Sequence, residues 1–397
     1  MPANSIDSAL TGLRIAQQQM SVISNNIANV QTPGYTRKIL PQSTRVVSGE
    51  SVGVVADPVI RKVDLYLARD VWTQTAAVGS SDIQIKYLQQ IESFHGSTDS
   101  EKNLAAKIAA VRDAFTALSD NPQDNFSLNS VVSAADQAAT KINDYADLLN
   151  QMRLDTEDDM SRDVDKINDL LIQISAQNQE IKGSRNLNRS TATFEDLRDQ
   201  AVTELSQLID VTFFTRGDGV LVVQTSTGEQ LADERPNQLF FAKSNPGVDE
   251  YYPASVNGVY IGGDPTTDPN AINITQRNIG GELGGLVDLR DESIPKYQAQ
   301  LDEMANRMAQ RFDSIGLTLF TDASGHIPSD ADPVPNPPGP LTSVDYVGFA
   351  SEIQVNPNIV NDPSLLQSGT KGDVIQPGSN EVIRRAINFA FGTVEYQ

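Results

Sequence analysis

The sequence predicts an α+β protein with a long N-terminal coiled-coil helix and a discontinuous helical-bundle domain, into which a small β domain is inserted. Three observations predict this class. Apolar residues recur in steps of three and four near the N-terminus, the same period runs on for about fifty residues in the middle of the chain, and beyond about residue 209 the period changes to two.

The N-terminal helix is read over 5–31, where Ile6, Ala9, Leu13, Ala16, Met20, Ile23, Ile27 and Val30 form an unbroken heptad seam. Ser5 is placed as its N-cap, and Pro33-Gly34 stops it. Asp7 and Arg14 are the only charges between 5 and 31, so the helix is expected to be buried on several sides. Residues 37–62, with Val46-Val47, Val54-Val55, Gly49, Gly53 and Pro58, read as short extended segments. Helical spacing resumes over 63–94 and at Leu104, Ile108, Val111, Phe115 and Leu118, until Asp120-Asn121-Pro122 breaks it. A long helix follows from about Ser127 to Ile181, roughly 80 Å at 1.5 Å per residue.

Val211, Phe213, Gly217-Asp218-Gly219 and Val220–Val223 then read as a hairpin, with further strands at Leu239–Phe241 and Val259–Ile261. Helix returns over 285–320, followed by a loop at 321–346 with six prolines from Pro328 to Pro340. Apolar residues at Phe349, Ile353 and Val355 and a short helix at 381–391 close the chain. Three domains are expected: an N-terminal inner helix at 1–36, a helical outer domain from 37–205 plus 282–397, and an inserted β domain at 206–281.

The formal charge of −22 argues against nucleic acid, which needs a concentrated basic face. The acidity is uneven: residues 1–62 carry +3 and the rest −25. Without cysteine there are no disulfides, thiolate metal sites or cysteine nucleophiles. Neither a cleavable secretory signal nor a run of 18 apolar residues is present, so membrane insertion is not expected.

No catalytic, cofactor-binding or metal-ligating residue is expected. His95 and His326 both sit beside glycine and read as solvent-exposed loop histidines, with no G-x-S-x-G elbow to serve. The acidic run Asp155, Glu157, Asp158, Asp159, Asp163, Asp165 and Asp169 lacks the glycine and closing glutamate of an EF-hand and reads as a solvated helix face. Gly280-Gly281-Glu282-Leu283-Gly284-Gly285 is no dinucleotide fingerprint and reads as a hinge.

The twelve residues from Ser24 to Tyr35, SNNIANVQTPGY, closely resemble the N-terminal signature of the flagellar rod, hook and hook-associated protein family. Gly284-Gly285-Leu286-Val287-Asp288-Leu289-Arg290-Asp291, followed by Ile294-Pro295 and the amphipathic 297–312, resembles the hook-associated branch, which joins hook to filament. Arg198-Asp199-Gln200, Glu204-Leu205, Val355-Asn356-Pro357 and 362–366 support this. The resemblance implies a structural, non-enzymatic subunit that self-assembles into a ring through terminal helices. Its implied partners are copies of itself, the hook protein, a second, filament-side hook-associated protein, and an export chaperone with the export apparatus. It also implies an extracellular flagellar location, reached by type III export without a cleaved signal.

The family closes with a C-terminal helix that pairs with the N-terminal one, and nothing after Glu381 matches it, so a further C-terminal portion is expected. The assembly residues implied are Ile6, Leu13, Met20, Ile23, Ile27 and Val30 of the seam, Asn25, Asn26 and Asn29 beside it, and the turn Thr32, Pro33, Gly34 and Tyr35. The asparagines are expected to join subunits laterally, since amides donate and accept without charge. The turn is expected to redirect the chain outward. A rod or hook subunit and a secreted coiled-coil adhesin are the alternative readings.

Overall fold

Helices form wherever apolar residues return every three or four positions, and strands form in the alternating stretches between glycines. In a computed structural model, residues 2–47, 50–97, 100–329, 346–372 and 378–392 are described. The order is α1 (Pro2–Ala28), β1 (Lys38–Ile39), β2 (Gln42–Val47), β3 (Glu50–Ala56), β4 (Ile60–Arg61), α2 (Leu65–His95), α3 (Leu104–Asp120) and α4 (Asn125–Asn186). Then come α5 (Ala192–Leu208), β5 (Val211–Thr215), β6 (Leu221–Thr225), β7 (Gln230–Ala232), β8 (Leu239–Phe241), β9 (Val259–Ile261), β10 (Ile272–Asn273) and α6 (Gly281–Asp288). A π-helical turn at Leu289–Ser293 leads into α7 (Ile294–Ser314), β11 (Phe320–Thr321), α8 (Phe349–Glu352) and β12 (Gln354–Val355). Short helices α9 (Pro357–Asn361), α10 (Leu365–Ser368) and α11 (Glu381–Arg385) follow, the last running into a π-helical turn at Ala386–Ala390. The fold is α+β, with long helices and small antiparallel sheets. Most of the proline-rich loop, from 330 to 345, lies outside the described residues.

The chain divides into two compact units. The first comprises 1–83, 160–242 and 258–286; the second comprises 84–159, 243–257 and 287–397.

In the first unit, Trp72, Ala76 and Ile83 of α2, Ile167, Leu171 and Ile174 of α4, and Val202 and Leu205 of α5 are buried together with Val223, Leu231 and Ile261 of the sheets. Trp72 donates from Nε1 to Thr203 at 2.8 Å and stands edge-on to Phe213 at 4.5 Å. The Gly217-Asp218-Gly219 turn joins β5 to β6 in register from Val211↔Thr225 to Thr215↔Leu221. Gly280 and Gly281, both at positive φ, make a turn that presses against the end of α5, where a Cβ on Gly281 would lie 2.5 Å from backbone atoms of Leu208 and Ile209. Gly285 belongs to α6, and a Cβ there would lie 2.6 Å from Ile83 Cγ2 and 2.9 Å from the Ser80 carbonyl. The glycine-rich stretch is therefore a close-packing device, because these backbones meet without room for a side chain. Gly285→Val is expected to cost at least about 1–3 kcal/mol by overpacking, read from the denaturation midpoint.

In the second unit, Phe115, Phe312, Phe320 and Phe391 gather with Phe312 at the centre, its ring centroid 5.4–5.8 Å from the other three. His95 is not a loop residue. It ends α2 and packs edge-on against Tyr145 at 4.7 Å, and burial together with Lys141 lowers its pKa. The acidic run lies within α4, as the periodicity predicts, but it is not uniformly solvated. Glu157 is fully buried against Arg290 at 3.0 Å, and Asp159 accepts from Lys86 and Tyr87, both at 3.1 Å. Arg290 also donates to the Asn257 carbonyl at 2.9 Å and to Asp291 at 2.7 Å; burial opposes its charge, while Asp291 and Glu157 hold its pKa above the ordinary value.

Asp302 of α7 accepts from the amides of Gly348 and Ala350 at 2.9 and 2.8 Å. Burial outweighs those two bonds and raises its pKa to about 6. A carboxyl raised in the folded state binds its proton more tightly there than in the unfolded chain. Its contribution is therefore fully present at low pH and lost as pH rises from about 4 through 6. Acidifying from pH 7 to 5 is expected to stabilise the second unit by on the order of 1 kcal/mol relative to Asp302→Asn, measured as the difference in Tm between the two proteins.

Candidate assembly surface

Helix α1 lies on the β2–β3 hairpin by one face only. Ser8, Thr11, Ile15, Gln19, Val22 and Asn26 form the covered side, and Ile15 is 5% exposed. Gly53 of β3 makes the approach possible: a Cβ there would lie 2.9 Å from Thr11 Oγ1. The heptad seam faces the other way. Ile6, Met20, Ile27 and Val30 are 69–76% exposed, and Leu13 and Ile23 are more than half exposed. Within this chain the expected burial on several sides is therefore not met, because the narrow hairpin accommodates the small and polar face and no described element packs on the seam. Ser5 lies inside α1, which begins at Pro2, and so is not at the N-cap position.

The end of α1 is built by the signature residues. Asn29 donates its side-chain amide to the Asn25 carbonyl at 2.9 Å, and Thr32 donates to Asn29 Oδ1 at 3.3 Å. The Tyr35 amide donates to the Thr32 carbonyl at 3.2 Å across Pro33 and Gly34, and Gly34 has φ +77°. That is a turn with proline setting the first φ and glycine supplying the positive one. Asn26 then staples the returning chain to the helix: its Nδ2 donates to the Lys38 carbonyl at 2.8 Å, and its Oδ1 accepts from the Lys38 amide at 3.0 Å and from Tyr35 Oη at 2.9 Å. The Lys38 ammonium lies 4.4 Å from the centre of the Tyr35 ring. Turn and asparagines are thus brought together, with the amides of Asn26 and Asn29 engaged inside the chain and Asn25 exposed.

Asn26→Leu removes three hydrogen bonds and strands a half-buried backbone pair. It is expected to cost about 1–3 kcal/mol locally and to speed amide exchange at Lys38, read by hydrogen-exchange mass spectrometry. Unchanged exchange would contradict the staple.

Beyond the turn the chain meets α5, a contact that no periodicity or motif in the sequence announces. Lys38 Nζ lies 3.1 Å from Asp196, Arg61 Nε lies 2.8 Å from Glu195, and Arg61 Nη1 lies 2.6 Å from Asp199. Thr36 donates to Asp196 from its hydroxyl, and Ser190 donates to the Val59 carbonyl at 2.7 Å. Burial works against the Arg61 charge, but Asp199, Glu195 and Asp196 more than offset it and raise its pKa. The +3 balance of residues 1–62 facing an acidic remainder is the one signal of it that the sequence carries.

Two family models match. Residues 88–325 match the flagellar hook-associated protein FlgK helical domain, and residues 6–36 match the flagella basal body rod protein. The chain is 26% identical over 349 residues to flagellar hook-associated protein 1 of Escherichia coli K12, covering 82% of this chain and 59% of that one. To flagellar hook-associated protein 1 of Salmonella typhimurium it is 23% identical, covering 78% and 56%. To that of Bacillus subtilis it is 22% identical, covering 81% and 69%. The chain thus spans somewhat over half the length of the first two relatives. The flagellar hook junction protein FlgK of Burkholderia pseudomallei has a similar fold, with a TM-score of 0.53 at 22% identity over 66% of this chain and 45% of that one. Proteins of this family are structural parts of the flagellum and not enzymes. With the helical-domain model matched over more than half its residues, the chain belongs to the flagellar hook-associated protein FlgK family.

Proposed function

We propose that this chain is a subunit of the junction between flagellar hook and filament, assembling with copies of itself into a ring through its terminal helix. The observation that carries the reading is the exposed seam of α1, within the segment matched by the rod-protein family. Covering a large apolar side chain contributes about 1.5–3 kcal/mol, so Ile6, Leu13, Met20, Ile23, Ile27 and Val30 together supply ample association energy once another helix lies along them. An apolar stripe of this length, unrelieved by charge, is a liability on a free monomer and an asset in a polymer. The turn Thr32, Pro33, Gly34 and Tyr35 redirects the chain away from the helix, and Asn25 remains free for a lateral contact.

On this reading residues 1–36 form the inner terminal segment. The helical residues 37–205 with 282–397, and the strand-rich 206–281, form the outer part. Hook protein on one side, a filament-side hook-associated protein on the other, and a flagellar export apparatus with its chaperone are the further partners, and the protein works outside the cell.

The test is location. A small epitope tag in the exposed 264–270 loop, followed by immunogold microscopy of sheared appendages, should mark one band per appendage where the curved hook meets the straight filament. Label spread over the cell surface, or absent from appendages, would favour the adhesin reading instead.

A further inference from the structure

We propose that α1 and strands β1–β4 are joined to α5 by a charged joint, with Asp196 at its centre, that sets the direction in which the apolar seam is presented. The inference rests on the assembly reading of α1 and adds to it the residues that aim the helix.

The core of the first unit holds buried apolar groups such as Trp72, Ile83 and Leu205, with buried polar links from Asn178 to Leu221 and from Arg198 to Gly219. Where the N-terminal segment meets α5, the contacts are polar. Thr36 donates to Asp196, Lys38 ion-pairs with Asp196 and reaches Thr193 at 3.5 Å, Arg61 pairs with Glu195 and Asp199, and Ser190 bonds Val59.

These charges are neither free in solvent nor sealed. Lys38, Arg61, Glu195, Asp196 and Asp199 keep 7–18% of their side-chain exposure. In that range an ion pair is stronger than on an open surface and still reachable by salt. Lys38 and Arg61 face three carboxylates, with Arg198 of α5 pairing with Asp199 at 3.4 Å from within the helix, so losing Lys38 or Arg61 leaves acids in excess on one turn of α5.

The connection to the seam is short. Asn26 of α1 holds the backbone of Lys38 from one side, and Asp196 of α5 holds its ammonium from the other. One route from the assembly helix to α5 thus passes through Lys38, and a second runs from Asn26 to Tyr35 and from the adjoining Thr36 to Asp196. Lys38, Arg61 and Asp196 act as positioning residues, the angle of α1 following from their contacts. A joint of ion pairs holds one geometry when formed and can yield without exposing apolar surface, a property suited to a subunit seated between two different lattices.

The chain's lack of cysteine makes the test direct. Spin labels on Gln18→Cys in α1 and Gln173→Cys in α4, both exposed positions of the first unit, report the angle of α1 as a distance distribution in the full chain. At about 0.05 M salt a single narrow distance is expected. At about 1 M, where screening acts within about 3 Å, the distribution should broaden roughly twofold. Lys38→Ala with Arg61→Ala should broaden it at low salt, with helical circular dichroism unchanged. Inverting the pair as Lys38→Asp with Asp196→Lys should narrow it again relative to Lys38→Asp alone.

A width that is unchanged by salt and by the double alanine variant, or a parent that is already broad at low salt, would overturn the joint. The salt series needs no substitution at the joint itself, so misfolding of a joint variant cannot hide the answer. The joint is read on the isolated chain, apart from assembly: a distribution that broadens as expected, while the double variant is recovered from appendages in parental amounts, would keep the joint and sink its role in aiming the seam.

Discussion

Arg290→Ala is expected to cost the second unit about 3–5 kcal/mol, the loss that follows when one partner of a fully buried ion pair is removed. Both side chains of the Arg290–Glu157 pair are 0% exposed. Glu157 also accepts from the Ser244 amide at 2.7 Å, and Arg290 is the cation that balances it. Truncation would leave the Glu157 carboxylate without its ion-pair partner and take the Arg290 donor from the Asn257 carbonyl. Arg290→Met with Glu157→Met should recover part of the loss, because removing both charges removes their desolvation cost together with their attraction, while Asp291 still loses its Arg290 partner. Urea denaturation of the three proteins checks this. A single variant as stable as the parent would contradict it.

The second large effect concerns assembly and leaves stability alone. Leu13→Asp with Met20→Asp places two carboxylates on the exposed seam, more than half exposed at both positions. The folded monomer should keep its stability within about 0.5 kcal/mol, as surface changes do. Burying two unpaired carboxylates between helices is prohibitive, so recovery of this variant from sheared appendages should fall by about tenfold or more. Matched monomer stability with lost incorporation separates an interface from a core. Parental recovery would remove the seam from the account.

Much of this architecture is legible in the amino-acid sequence. The spacing from Ser127 to Ile181 marks the long helix within a few residues of each end, and Gly217-Asp218-Gly219 places the β5–β6 hairpin. Proline followed by glycine at 33–34 locates the turn that ends α1, since few other pairs supply that sequence of φ angles. What the sequence conceals is which face of α1 the chain itself covers. A heptad seam reads as the packed side, yet Ser8, Thr11 and Gln19 line the covered side around Ile15.

Glu157 and Asp159 likewise read as solvated, because their partners Arg290 and Lys86 are far away in the chain and periodicity carries no information about long-range pairing. The same holds for Asp196: an acidic residue early in an amphipathic helix draws no notice until Thr36, Lys38 and Arg61 arrive beside it. Local period fixes elements, while charges find their roles only through tertiary neighbours.

On the proposed assembly the seam of α1 is uncovered in the monomer and covered in the flagellum. With no cysteine in the chain, Met20→Cys introduces a single thiol on the seam. Its rate of alkylation by a maleimide should be that of an exposed thiol in the purified monomer and should fall at least about tenfold in intact appendages. Equal rates in both forms would mean that nothing covers Met20 on assembly, and would contradict the account.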